Sequence, residues 1–139
     1  MKGYFMNTKR LIYSTVAVFA FVFAFEWGFH SVLWKPMYIE TAHLWRTEAE
    51  MQQYMFWMIL GQLLASVLFC FIFTKGYEGK GLGEGFRYGF YISLLLNAPN
   101  LIMYAVTPYP PKLIGAWVGG TTVECILAGI LLAAVYKKA

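Results

Sequence analysis

Apolar residues in this chain neither recur on one face with helical period nor alternate as in a half-buried strand. They form four long runs, over about residues 11–34, 54–74, 86–106 and 113–136, each near the roughly 20 residues a helix needs to cross a bilayer. Barrel strands would alternate over about 10 residues, and Val16-Ala17-Val18-Phe19-Ala20-Phe21-Val22-Phe23 does not. The connections are short, which makes consecutive helices antiparallel neighbours. The pattern predicts an all-α integral membrane bundle of four transmembrane helices, with residues 1–139 as a single domain.

Composition agrees. The chain is 60% hydrophobic and only 13% charged, about half the charged fraction of a soluble domain. Its net charge of +4 is spread over the connections instead of forming one basic patch, which argues against nucleic acid as a partner. The first run exceeds a signal-peptide core of about 7–15 residues and lacks a small-residue cleavage site, so it is expected to remain as the first span. Cys70 and Cys125 both fall in apolar runs, where a thiol behaves as a small hydrophobe.

The basic residues divide unequally. Lys2, Lys9, Arg10, Lys75, Lys80, Arg87, Lys137 and Lys138 fall on one side, and Lys35, Arg46 and Lys112 on the other. The positive-inside rule then puts both termini in the cytoplasm. Trp34, Tyr38, Trp45, Tyr54 and Tyr109 fall where aromatic anchors belong at the outer face.

The first outer loop, residues 35–53, is too long for a simple turn. Thr47 and Glu50 have capping-box spacing, which predicts that the second helix starts near Glu48. The mixed residues before it suit either a short interfacial segment or an irregular loop. The inner loop carries six glycines in residues 76–89, but it lacks the strand and the GxxxxGK[ST] pattern of a phosphate cradle. It reads as a tight basic turn, with Gly76 ending the second helix and Gly85/Gly89 allowing close helix packing. Gly61/Ala65 and Gly115/Gly119 repeat that small-residue spacing, for contacts within the bundle or between copies.

Ionisable and amide residues inside the runs are costly in lipid and are therefore the candidates for function. Helix rise places Glu26 about 10 Å and His30 about 5 Å below the outer surface, with Gln62, Asn97, Asn100 and Glu124 roughly 9–15 Å deep. Four helices would thus contribute to one polar slab. Glu26 and His30, four residues apart, share a face. They suit a satisfied carboxylate–imidazole pair, a proton or ion path with Glu124, or two ligands of a metal whose identity the residues leave open. Glu40-Thr41-Ala42-His43 has the Glu-x-x-His spacing of di-iron bundles, but there is one copy and it lies in a loop. Pro99, within Asn97-Ala98-Pro99-Asn100, should kink the third span near Leu95–Pro99. The asparagines would then either satisfy the freed carbonyls or line a cavity.

Glu26-Trp27-Gly28-Phe29-His30-Ser31-Val32-Leu33-Trp34, Leu44-Trp45-Arg46 with Glu48-Ala49-Glu50-Met51, and the run 74–89 together resemble a group of small bacterial four-helix membrane proteins. That resemblance implies a multi-pass protein of the bacterial inner membrane and brings no activity or cofactor with it. Two functions are expected to compete, the first preferred because four helices offer little room for alternating access unless the protein oligomerises. In the first, the chain is a non-enzymatic structural or accessory component, partnered by the bilayer and by copies of itself or a larger membrane complex. In the second, Glu26, His30, Asn97, Asn100 and Glu124 bind or conduct a proton, cation, metal or small polar ligand. No catalytic motif is present, and two histidines so placed do not make paired haem ligands.

Overall fold

A computed structural model describes residues 6–136. Lys2, Lys137 and Lys138, which entered the charge comparison, lie outside the described residues. Four helices are long and apolar enough to cross a membrane: Thr8–Leu33, Met55–Lys75, Leu82–Val106 and Pro111–Val135. No strand occurs among the described residues.

Helix α1 spans Thr8–Gly28 and is capped by Asn7, whose side chain accepts the Arg10 N–H at 3.1 Å. It ends in a π-helical turn over Phe29–Leu33, closed by Trp34 N–H donating to the Phe29 carbonyl at 2.9 Å. The long loop after α1 is largely helical. It holds α2, Lys35–Glu40, a 3₁₀ turn at Ala42–Leu44, and α3, Glu48–Gln53. Pro36 suits the first turn of α2, where its missing N–H leaves no bond unmade. The Thr47/Glu50 capping box forms as expected, with reciprocal bonds of 3.3 and 2.9 Å. The Thr47 N–H, and after it the Thr47 hydroxyl, donate to the Glu50 carboxyl and hold it below the usual carboxylate range. The helix it starts is not the second span, however. The chain breaks at Tyr54, φ −101° and ψ 5°, and α4 runs separately over Met55–Lys75.

Gly76 ends α4 as expected, at φ −108° and so without left-handed backbone. Left-handed backbone instead occurs at Gly79 and Gly81, with φ 76° and 72°. After Gly81, α5 occupies Leu82–Val106, starting four residues earlier than the apolar run. Glu78 pairs with Lys80 and with Arg87, the latter at 3.1 Å. The hydrogen bond from Lys80, aided by Arg87, holds its carboxyl below the ordinary range. Pro110 and Pro111 then open α6, Pro111–Val135.

The tightest pairing joins α5 to α6. A Cβ added at Gly85 would lie 2.2 Å from the Gly129 carbonyl oxygen, and one at Gly89 would lie 2.1 Å from that of Cys125. Only glycine permits such backbone approach. Helix α1 packs on α6 on one side and on α4 on the other, giving the order α4–α1–α6–α5. Helices α4 and α5 meet near the chain termini, where the Tyr88 hydroxyl donates to the Phe69 carbonyl at 2.5 Å. Val18, Cys70, Phe73, Ala128, Leu132, Ala133 and Tyr136 form the core at that same end. At the opposite end α4 stands apart, and residues 51–60 are all exposed. The bundle is thus closed at the end of the glycine-rich turn and parted at the end of the long loop.

Candidate functional site

Where the bundle parts, a cavity of about 300 Å³ opens between α1, α5 and α6. Glu26, Phe29 and His30 line it from α1 and its π turn, Asn100 from α5, and Trp117, Gly120 and Thr121 from α6. Gly120 is small for a local reason: a Cβ there would meet the Phe29 ring at 2.5 Å.

The pair expected from its four-residue spacing is present, with His30 Nε2 3.0 Å from Glu26 Oε2. Both side chains are about one-third exposed, at 35% and 32%, so neither is sealed inside protein. Glu124, one helix away on α6, reaches Glu26 with its carboxyl, although it does not line the cavity. Its Oε1 is buried and has no hydrogen-bond partner among the described residues.

His30 continues the chain in the other direction. Its Nδ1 lies 2.5 Å from the Tyr38 hydroxyl, which also accepts the Trp117 indole N–H at 2.7 Å. Burial, opposed by the Trp117 bond and reinforced by the Glu26 charge, pushes the Tyr38 hydroxyl above the ordinary tyrosine range. A protonated hydroxyl that already accepts from Trp117 is set to donate to Nδ1, leaving Nε2–H to face Glu26. The result is a continuous path from Trp117 through Tyr38 and His30 to Glu26 and Glu124.

Over this path the loop that holds α2 and α3 folds back onto α6. Trp45 stacks on Tyr109 with centroids 5.8 Å apart, and both rings meet Trp117 edge-on at 5.9 and 5.2 Å. The Trp45 indole N–H donates to Thr41 Oγ1 at 2.9 Å, and the Thr41 hydroxyl donates to the Met37 carbonyl at 2.7 Å. Those bonds tie the aromatic cover to α2 and its C-terminus.

Asn97 and Asn100 divide the expected role. Asn100 lines the cavity and donates to Asn97 Oδ1 at 3.3 Å. Asn97 is buried behind it and donates to the Val118 carbonyl and to Thr122 Oγ1, each at 3.2 Å. The asparagines therefore do not satisfy carbonyls freed by Pro99. They bridge α5 to α6, and α5 continues as helix through Pro99.

Gln62 does not join this cluster, because α4 has moved away from it. Its Oε1 is buried without a hydrogen-bond partner among the described residues, and its backbone carbonyl accepts from Ser66 at 2.8 Å. The polar slab is therefore built by three helices instead of four. Glu40 and His43 are both exposed, the second on the 3₁₀ turn. Among the described residues no group of three or more His, Cys, Asp or Glu side chains could hold a metal ion. Sequence pattern missed Tyr38 and Trp117 as members of the site, having placed Tyr38 only as an interfacial anchor. Neither a known protein family, nor a curated protein, nor a solved structure matches the chain.

Proposed function

We propose that this chain is a multi-pass protein of the cell membrane that binds a small polar or cationic ligand in the cavity between α1, α5 and α6, without bond chemistry. The observation that carries this reading is a cavity lined by a hydrogen-bonded Glu26–His30 pair inside helices otherwise built for lipid. Ionisable groups at such depth are expensive and mark ligand or ion sites. The eight-to-three distribution of basic residues favours cytoplasmic termini, which turns the cavity and its aromatic cover toward the outer face.

Access is the first requirement of this reading. In a background with Cys70 and Cys125 replaced by Ala, Thr121→Cys in lipid nanodiscs should react with a small water-soluble thiosulfonate within minutes. Ser93→Cys, fully buried on α5, should stay protected. A Thr121→Cys protein as inert as the Ser93 control would remove the binding role.

A structural or self-associating role is the second reading, favoured by one observation. Gly61, Gly115 and Gly119 all face open space, so their small-residue spacings are not used within the chain. Substituting Leu at Gly61 or Gly115 would disperse oligomers under this reading and leave a monomeric binding protein unchanged.

A further inference from the structure

We infer that the ligand of the α1/α5/α6 cavity is a small organic ammonium ion, an inference that rests on the binding reading above. The donors around the cavity are largely committed within the protein. The Trp117 indole N–H is taken by Tyr38, the Tyr38 hydroxyl by His30, and an amide hydrogen of Asn100 by Asn97. What remains to face the cavity is rich in acceptors: the Asn100 carbonyl oxygen and the Thr121 hydroxyl oxygen, with the Glu26 carboxylate, shared by His30 and Glu124, beside them.

Charge points the same way. Two carboxyl groups, Glu26 and Glu124, meet with one imidazole beside them, and Glu124 Oε1 is left without a partner. A hydrogen bond between the two carboxyls needs one of them protonated, and His30 with Nδ1 accepting from Tyr38 is neutral. The cluster therefore keeps one negative charge that no side chain in it balances, and an unbalanced charge away from water is costly. A monovalent cation beside Glu26 would balance the pair. Phe29 and Trp117 add ring surfaces, which attract an ammonium most strongly where water is partly excluded.

Size separates an organic cation from a metal ion. At about 30 Å³ per water, a cavity of about 300 Å³ holds roughly ten. A bare ion would find few of the roughly six to eight oxygen ligands it seeks. A cation carrying several carbons fills the space and uses the rings.

The test is calorimetric titration of the full chain in nanodiscs with ethanolamine, with choline, and with 3,3-dimethylbutan-1-ol, the neutral isostere of choline. Saturable binding of at least one of the two cations is expected, with no binding of the neutral alcohol. Glu26→Gln and Trp117→Leu should each weaken it roughly tenfold or more. Because Trp117 also holds Tyr38, Thr121→Leu serves as a second variant that fills the cavity and leaves the Glu26–His30 pair in place. It too should abolish binding, with an unchanged thermal melt. Failure of both cations, or equal binding of the neutral alcohol, overturns the ammonium inference. If sodium, potassium or the alcohol then binds in a Thr121→Leu-sensitive way, the cavity reading stands while the ligand class falls. If nothing binds and Thr121→Cys is inert, both fall.

Discussion

Glu84 accepts the backbone N–H of Glu78 at 2.6 Å and that of Lys80 at 2.7 Å, and only 5% of its surface remains exposed. It occupies the third position of α5, so its charge also meets the positive end of that helix. The glycine-rich turn is thus wound around a carboxylate, a structure that its six glycines alone do not suggest. Glu84→Ala should lower stability by about 1–3 kcal/mol, because two amides lose their acceptor. Glu84→Gln should fall between, since one oxygen remains. Thermal melts in detergent would check the order, together with faster tryptic cleavage after Lys80 in the Ala protein. An unchanged melt with an uncleaved loop would show that the turn holds without this side chain. The residues of the candidate site were legible to different degrees. Glu26 and His30 follow from helical spacing, and Glu124 from depth, because helix geometry fixes both quantities. Tyr38 and Trp117 meet across 79 positions of sequence, and nothing in local periodicity encodes that contact.

At the scale of elements, the four spans follow from the apolar runs, with ends displaced by a few residues. Their displacement has local causes: Glu84 draws α5 back to Leu82, and the two prolines allow α6 to begin at Pro111. Two breaks were not legible. The π turn at Phe29–Leu33 and the interruption at Tyr54 lie within or beside sequences that suit an uninterrupted helix. The π turn has a tertiary partner in Gly120, against which Phe29 packs, whereas Tyr54 lies among exposed residues and no packing explains its break. The helix pairing was partly legible. Gly85/Gly89 marked a close contact correctly, but the same spacing at Gly61/Ala65 and Gly115/Gly119 is turned away from the other helices. This difference gives a prediction of sign. Glycine to alanine in an open helix position gains up to about 1 kcal/mol of helix propensity. Gly83→Ala, whose Cβ meets nothing within 4 Å, should therefore be neutral or stabilising. Gly89→Ala should instead destabilise by about 1–3 kcal/mol, because its Cβ would press on the Cys125 carbonyl and part α5 from α6. Melting both proteins in the same detergent decides the matter, and equal shifts would show that α5 and α6 are not in backbone contact.

At the scale of the whole molecule, the order α4–α1–α6–α5 concentrates packing at one end and polar groups at the other. The core end carries Lys9, Arg10, Lys75, Lys80 and Arg87 among the described residues, while the cavity end carries Lys35, Arg46 and Lys112. Basic residues near the ends of spans resist translocation, so the core end should face the cytoplasm. The cavity, under the stacked rings of Trp45 and Tyr109, would then be open to the outside. Reporter positions must be chosen by exposure. Thr41 is a poor choice, because it is 4% exposed and hydrogen-bonded to Trp45 and Met37. Ala42 and Pro108 are exposed on the cavity side, and Gly83 is exposed and unobstructed on the other. In intact cells making the protein without Cys70 and Cys125, an impermeant maleimide should label Ala42→Cys and Pro108→Cys. It should reach Gly83→Cys only after the membrane is permeabilised. The reverse pattern would keep every helix contact but turn the Glu26–His30 cavity to the cytoplasm, so the ligand would have to come from inside the cell.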